Sequence, residues 1–200
     1  MKIIPMQPDQ IPALSNMAAE AFLSAPVYRH LLPDADRRRE FLRHFFHFRL
    51  VFGQRKGLAF TTPEQDAVSV WLPPEVRLRA PDYLSADLLR GIRAAGVGTI
   101  RQMLSINAIG EGMERRHCPE PHWQLAPIAV SPERQGEGIG AQLLRHGLEL
   151  VDLRQGSVFL DTQAQRTADY YRRFGFRAVE SRLVEGADIP IIGMVRRPGE

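Results

Sequence analysis

The stretch that decides the fold is residues 130–141, Val130-Ser131-Pro132-Glu133-Arg134-Gln135-Gly136-Glu137-Gly138-Ile139-Gly140-Ala141. A strand-like segment ends at Val130, and a helical pattern begins near Gly138. Glycine has no Cβ atom, so its backbone can turn tightly and approach a ligand closely. The free N–H groups and the positive dipole end of the following helix favour phosphate oxygens, and Arg134 adds a positive charge. The segment therefore indicates a pyrophosphate site, with a ligand-free strand-to-helix turn as the alternative.

Two classes of phosphate ligand fit these glycines. Gly136, Gly138 and Ala141 match the dinucleotide fingerprint, and Asp161 follows about 20 residues later, as an NAD site requires. Two observations oppose that interpretation. Five residues separate Val130 from Gly136, and too little chain follows for the remaining βα units. A Walker phosphate loop is excluded because no Gly-Lys-Ser/Thr sequence follows.

A second motif comes after an intervening strand. It reads Tyr170-Tyr171-Arg172-Arg173-Phe174-Gly175-Phe176 and begins 30 residues after Gly140. Taken together, the two segments resemble the GNAT superfamily of N-acetyltransferases. The Gln/Arg-x-x-Gly-x-Gly/Ala pattern of that family is matched by residues 135–140, and its Tyr-x-x-x-Gly-Phe pattern by residues 171–176. The order and the separation of the motifs also agree with the family.

The resemblance is strong from His122 to Val184 and extends more loosely back to residues 71–74, Trp-Leu-Pro-Pro. One position departs from the pattern, because Thr167 stands where such proteins often carry Asn. The resemblance implies an α/β fold that is GNAT-like, with a mixed, mostly antiparallel sheet flanked by helices. It also implies acetyl-CoA as the cofactor, with CoA as the product.

Local patterns agree with an α/β class, because strands alternate with helices in the second half of the chain. Strands are predicted at residues 2–4, 57–61, 67–72, 122–130, 158–160, 176–184 and 189–195. Helices are predicted at residues 12–22, 37–52, 82–95, 99–117, 138–153 and 167–174. Residues 24–33 contain Pro26 and Pro33 and are predicted to form a loop. We expect one domain, residues 1–200, in which 82–117 form a helical insert before the central cofactor-binding strand.

The resemblance also implies how a cofactor would be held. Acyl-CoA would sit between the strand that ends at Val130 and the strand at 158–160, with the pantetheine arm along Ile128–Val130. A backbone N–H near Ala129 would stabilise the oxyanion. The amides of residues 135–141 would hold the pyrophosphate. The implied cofactor-binding set is Ile128, Ala129, Val130, Arg134, Gln135, Gly136, Gly138, Gly140 and Ala141.

Two residues are candidates for catalysis. Tyr171 is the candidate general acid, which would protonate the departing CoA thiolate and help by about 10²- to 10⁴-fold; the alternative is a tyrosine that only packs on its helix. His122 is the candidate general base, because it titrates near neutral pH and shares a strand face with Gln124. Asp161 is a second candidate base, and its alternative role is to cap or pair at a strand end.

Composition bounds the class of protein. Hydrophobic residues make up 44% and charged residues 24% of the 200 residues, as in a soluble globular domain. Cys118 is the single cysteine, which fits a reducing, cytoplasmic setting. No apolar run approaches the roughly 20 residues that cross a bilayer, and prolines interrupt the N-terminal segment, which argues against a signal peptide. We therefore expect no membrane partner.

The charge pattern and the acceptor are less informative. The net charge is +3 and charges of both signs are interspersed, so no nucleic acid partner is predicted. His44 and His47 lack further metal ligands, so no metal is predicted. The acceptor is expected to be a small-molecule amine or a peptide N-terminus or lysine, with residues 82–117 as a lid. A homodimer is compatible with the sequence. A non-catalytic acyl-CoA-binding or sensor domain and an NAD-binding oxidoreductase are the alternative functions.

Overall fold

A computed structural model describes residues 1–77, 82 and 86–199. The helices are α1 (Ile11–Phe22), α2 (Pro26–Leu31), α3 (Ala35–Lys56), α4 (Ala86–Ala95), α5 (Val97–His117), α6 (Ile139–Asp152) and α7 (Gln165–Arg172). The strands are β1 (Ile4–Pro5), β2 (Leu58–Thr61), β3 (Ala67–Leu72), β4 (His122–Val130), β5 (Ser157–Thr162), β6 (Arg177–Leu183) and β7 (Pro190–Arg196). Of the helix predicted at 82–95, residues 83–85 lie outside the described part.

The strands form one seven-stranded sheet in the order β1-β2-β3-β4-β5-β7-β6. Every neighbouring pair is antiparallel except β4 and β5, which run parallel and are joined by α6. A parallel pair needs such a crossover, because the chain must return to the same end of the sheet. The predicted fold class, a mostly antiparallel mixed sheet flanked by helices, is confirmed.

Helices cover both faces of the sheet. One face packs against α1, α3 and α5 through a cluster that includes Leu14, Phe41 and Met113. The other face packs against α6 and α7 through a cluster that includes Trp71, Leu143 and Ala168. Side chains alternate between faces along a strand, so each central strand supplies residues to both cores.

Helix α3 shows how the sequence builds the first core. The Asp34 side chain caps its start by accepting a hydrogen bond of 2.8 Å from the Arg37 N–H, which satisfies a donor that the helix leaves free. Phenylalanines form a stripe at helical spacing at positions 41, 45, 48 and 52 of α3, and Phe41, Phe48 and Phe52 are buried. Phe45 is only half-buried and lines a cleft described below. The stripe is therefore core at most positions and cleft wall at one.

The predicted loop at 24–33 was wrong, because residues 26–31 form α2. Proline lacks an N–H group and has a fixed φ, and both features are compatible with the first position of a helix. Pro26 occupies that position, and Val27 and Leu31 bury the inner side of the helix. Pro26 therefore starts a helix and does not interrupt one.

The helical insert is part of the main core. Helix α4 lies along α3, and α5 packs on β6 and β7. Met113 of α5 is fully buried and Met103 is buried in the same cluster. Within the described residues, no helix is both long and apolar enough to cross a membrane.

Candidate active site

The central feature of the sheet is a cleft between β4 and β5. The two strands pair at only three positions, from His122 opposite Ser157 to Gln124 opposite Phe159. Both strands then continue, β4 to Val130 and β5 to Thr162, without further pairing to each other. The sheet therefore splays open on one side of Gln124, as predicted for the cofactor site.

An irregularity in β4 lies beside this opening. Leu125 pairs with Trp71 and Ile128 pairs with Ser69, so Ala126 and Pro127 together stand opposite Val70. One extra residue in a strand makes a β-bulge, which bends the strand. Proline lacks the N–H that a regular ladder needs, and a bulge is one of the few places where it fits inside a sheet.

The strand cleft, as we call this opening, has a volume of about 500 Å³. Its walls are the diverging strand ends, the α1–α2 turn, α3 and α7. The lining includes Phe22, Phe45, Leu125, Ile128, Leu160, Asp161, Thr167 and Tyr171. Of the predicted pantetheine segment, Ile128 lines the cleft, whereas the side chain of Ala129 is buried in the core and Val130 pairs with Ala67.

The glycine loop turns at two residues with positive φ angles. Gly136 and Gly138 have φ angles of 90° and 81°, which favour glycine, and a Cβ atom on either would meet no atom within 4 Å. The first hydrogen bond inside α6 runs from the N–H of Gln142 to the carbonyl of Gly138. The N–H groups of residues 139–141 precede that bond and are available to an anion.

The loop is held next to the strand cleft. A Cβ atom on Gly140 would lie 3.3 Å from Val130 Cγ2 and 3.6 Å from the Tyr170 hydroxyl. The start of α6 thus contacts both β4 and α7. The Gln135 side chain donates a hydrogen bond of 3.1 Å to the Val130 carbonyl, which closes the loop. Ala141 lies in the first turn of α6.

Arg134 has two acidic partners. Its Nη1 lies 2.9 Å from Asp66 Oδ2, and its Nε lies 2.8 Å from Glu137 Oε2. These pairs tie the loop to the β2–β3 turn. The sequence predicted Arg134 as a positive charge for phosphate, and in the structure that charge is balanced by Asp66 and Glu137.

Tyr171 lies on α7 and lines the strand cleft with 7% of its surface exposed. Its ring packs against Tyr170 and Phe176. Burial, assisted by Tyr170 and Asp161, raises the pKa of the Tyr171 hydroxyl. The hydroxyl therefore stays protonated at neutral pH.

A second cavity of about 700 Å³ lies between α5 and the sheet. This helical cavity is lined by Arg77, Glu111, Glu114, Cys118, His122, Gln124 and Phe159, among others. It shares Arg49, Asn107, Asp161 and Gln163 with the strand cleft. The two spaces therefore meet, and the predicted placement of His122 and Gln124 on one strand face agrees with their shared cavity.

His122 lies in a buried hydrogen-bond network. Its Nε2 is 2.7 Å from Glu114 Oε1 and 3.0 Å from Arg77 Nη2, and its Nδ1 is 2.7 Å from the Glu120 carbonyl. Nδ1 can thus donate to the Glu120 carbonyl, while Nε2 contacts both Glu114 and Arg77. Gln124 Nε2 lies 3.5 Å from the other Glu114 oxygen. His122 and Glu114 thus form a buried hydrogen-bonded pair.

The sequence analysis missed Glu114 and Arg77. The available signal for Glu114 was its position on α5. Met103, Ile106 and Gly110 recur at helical spacing on the buried side of α5, and Glu114 follows four residues later on the same side. A carboxylate on a buried stripe is rarely left unpaired. No comparable signal existed for Arg77.

Comparison with known proteins supports the assignment of the fold. Residues 96–178 match the family model for the acetyltransferase (GNAT) domain. A Corynebacterium glutamicum protein described as histone acetyltransferase HPA2 and related acetyltransferase is 20% identical. It superposes with a TM-score of 0.67 over 100% of this chain and 97% of that one. The ribosomal-protein-S18-alanine N-acetyltransferase of Escherichia coli is 16% identical, with a TM-score of 0.55 over 100% and 94%. The yncA protein of Salmonella typhimurium, solved with its cofactor acetyl-CoA, is 13% identical with a TM-score of 0.55 over 100% and 94%.

The splayed mixed sheet with a glycine loop at its opening defines the class of this protein, an α/β protein with a cleft between two parallel central strands. The resemblance to the GNAT superfamily is confirmed, because the chain has the GNAT fold and residues 96–178 match the family model. Among the described residues, no group of three or more His, Cys, Asp and Glu side chains could hold a metal ion.

Proposed function

We propose that this chain is an acetyl-CoA-dependent N-acetyltransferase that moves acetyl to a primary amine by direct attack. The observation that carries the proposal is the strand cleft, which opens where β4 and β5 stop pairing. The free N–H groups at the start of α6 lie beside this cleft, next to Val130 and Tyr170. A neighbour of the same fold holds acetyl-CoA.

The chain offers a matching group for each part of the cofactor. The amides of residues 135–141 would bind the pyrophosphate, because helix N-termini attract phosphate oxygens. The free edge of Ile128–Val130 would pair with the pantetheine arm, and the Ala129 N–H would stabilise charge on the carbonyl oxygen. Arg134 would hold the loop in place through Asp66 and Glu137. Acetyl-CoA, when bound, supplies an acetyl group activated as a thioester.

Two side chains would transfer protons. Tyr171 lines the cleft with its hydroxyl protonated, and it would donate that proton to the departing sulfur. His122, acting as a pair with Glu114, would accept a proton from the attacking nitrogen. The acceptor would occupy the helical cavity, which meets the cleft at Asp161. Helix α5 would then serve as its wall, in the place where the sequence predicted a lid.

The alternatives make different predictions. An acyl-CoA sensor would bind the cofactor without needing Tyr171 in the cleft. An NAD enzyme would need a parallel doubly wound sheet, whereas among the described strands only β4 and β5 are parallel. The acyltransferase therefore explains more of the geometry.

The proposal is tested by thermal unfolding with acetyl-CoA, CoA and NAD in parallel. A ligand at about 100 times its Kd stabilises by about 2.7 kcal/mol, which corresponds to a rise in Tm of roughly 5 to 11 °C for a domain of this size. We expect a rise with acetyl-CoA and CoA and none with NAD. CoA release with a panel of amines then separates an enzyme from a sensor. A rise with NAD alone would refute the proposal.

A further inference from the structure

Asp161 lies where the two cavities meet. It is near the end of β5, two residues beyond Phe159, which makes the last pairing with β4. It lines both the strand cleft and the helical cavity. In the proposed reaction the acetyl group enters from the cleft and the acceptor from the helical cavity. Asp161 is therefore placed where the reacting groups would meet.

The Asp161 side chain is exposed to the two cavities, so their walls remove water from its carboxylate only in part. Burial raises its pKa, and Glu114 of α5 raises it further. Arg49 of α3 and a hydrogen bond with Gln163 act in the opposite direction. The negative charge of Asp161 in turn raises the pKa of two tyrosines, Tyr28 of α2 and Tyr171 of α7. The carboxylate is therefore accessible to a cation that enters either cavity.

Helix α5 comes close to Asp161 at a glycine. A Cβ atom on Gly110 would lie 3.2 Å from Asp161 Oδ1, tighter than an ordinary contact. Glycine in the middle of a helix costs about 0.5 to 1 kcal/mol relative to alanine. Glycine at position 110 therefore lowers the stability of α5, but it leaves space for the Asp161 carboxylate where the two cavities meet.

We propose that Asp161 binds the acceptor as an ammonium ion and takes the first of its protons. The acceptor class is then an alkyl amine that is protonated at neutral pH, such as an aliphatic amine or a lysine side chain. This inference rests on the proposed function, and it assigns a step that precedes the one given to His122 and Glu114.

The protons balance. The ammonium nitrogen starts with three protons and keeps one in the amide. Asp161 takes the first, which leaves a neutral nucleophile, and the His122–Glu114 pair takes the second as the C–N bond forms. The C–S bond breaks, and the sulfur receives the proton of Tyr171. Ammonium and thioester thus give amide, thiol and one proton for the solvent.

The test uses two amines of similar size, ethylamine and trifluoroethylamine. Ethylamine is an ammonium ion at neutral pH, whereas the fluorinated amine is largely neutral and has already lost the first proton. We expect Asp161→Asn to lower kcat/KM for ethylamine by about 10²-fold and to leave the rate with trifluoroethylamine near that of the wild type. His122→Asn should slow both amines.

The control is Asp169→Asn, which removes the same charge from the exposed face of α7, where Asp169 pairs with Arg172. It should leave both rates unchanged. Equal losses of Asp161→Asn on both amines, or no loss on either, would overturn the inference while the proposed function stands. A wild type that binds acetyl-CoA but releases no CoA with any amine would count against both.

A second readout needs no cofactor. The carboxyl carbon of Asp161, assigned by its absence from the spectrum of Asp161→Asn, is titrated by NMR in the free protein. We expect a pKa above the usual range for Asp that falls when ethylamine is added, because an adjacent ammonium ion stabilises the carboxylate. A midpoint that ethylamine does not move would contradict ammonium binding at Asp161.

Discussion

The Nε2 atom of His122 lies 2.7 Å from Oε1 of Glu114, and both side chains are buried between α5 and β4. Arg77 Nη2 approaches the same carboxylate at 3.4 Å. Glu114 therefore joins the helical insert to the first residue of the central strand and to the segment after β3. The contact links the stability of the fold to the acceptor side of the candidate site.

Replacing Glu114 by Ala should destabilise the protein by about 3 kcal/mol, because it leaves buried polar partners without their anion. Glu114→Gln retains the shape and a hydrogen-bond acceptor, so it should cost much less. Urea unfolding of both variants measures the difference. Equal stabilities for Glu114→Ala and the wild type would show that the network contributes nothing to folding.

Replacing Tyr171 by Phe should lower kcat at least tenfold, since general acid catalysis contributes about 10²- to 10⁴-fold. The rise in Tm with acetyl-CoA should persist, because the ring and its packing are retained. Tyr170→Phe, one residue away, is the matched control and should keep its kcat. If Tyr171→Phe turns over its amine at the wild-type rate, the hydroxyl has no catalytic role.

Replacing Gly147 by Ala should destabilise the second core by about 2 kcal/mol or more, the usual effect of overpacking. A Cβ atom there would lie 2.1 Å from Cε2 of Trp71, which is fully buried and cannot move aside. Gly98→Ala is the control, because its Cβ would meet no atom within 4 Å. Thermal unfolding compares the two, and a Gly147→Ala protein as stable as Gly98→Ala would contradict the packing.

The Glu180 carboxylate should stabilise the fold in a pH-dependent way. Hydrogen bonds from Arg116, Arg182 and His117 lower its pKa to about 2, below the value of about 4.3 for an unfolded Glu. Because the folded pKa is the lower one, the stabilisation is complete above the unfolded pKa and is lost as the pH falls through the folded pKa. The contact ties α5 to β6.

Urea unfolding of the wild type and Glu180→Gln from about pH 6 to about pH 2 measures this dependence. The gap between the two proteins should be largest at the upper end and close toward the lower end. Glu185→Gln, in the exposed β6–β7 turn, removes the same charge and should show no such trend. A gap that is constant with pH would exclude the ionic contribution.

The role of the helical insert, residues 82–117, is better tested by point substitutions than by deleting the insert. Met113 is fully buried and Met103 is buried in the first core, so removing residues 82–117 would uncover that core and unfold the protein. Substitutions at Glu114 or Gly110 alter the cavity wall while the buried methionines stay in place. The sequence predicted a lid at residues 82–117. We propose that α5 of this insert is a fixed wall of the helical cavity.

The sequence by itself determined the parts of this protein that depend on local chemistry. A turn that needs positive φ favours glycine, so the glycines within residues 136–140 predicted the loop. The spacing of hydrophobic residues predicted α6 and β4. The order of the two motifs predicted the sheet in which they lie. The same logic failed at Pro26, because a proline is equally at home in a loop and at the start of a helix.

Only the tertiary structure brought Arg77, Glu114, His122 and Asp161 to one cavity. Glu114 and His122 are eight residues apart, but Arg77 and Asp161 are about 40 residues from them. The hydrophobic pattern of the sequence does not show which strand ends meet or where strand pairing stops. The splay after Gln124 follows from the register of β4 and β5 and from the β4 bulge, and the approach of α5 to Asp161 follows from packing at Gly110. Such contacts are decided by long-range packing, since each residue's neighbours are fixed only when the whole sheet and its helices are assembled.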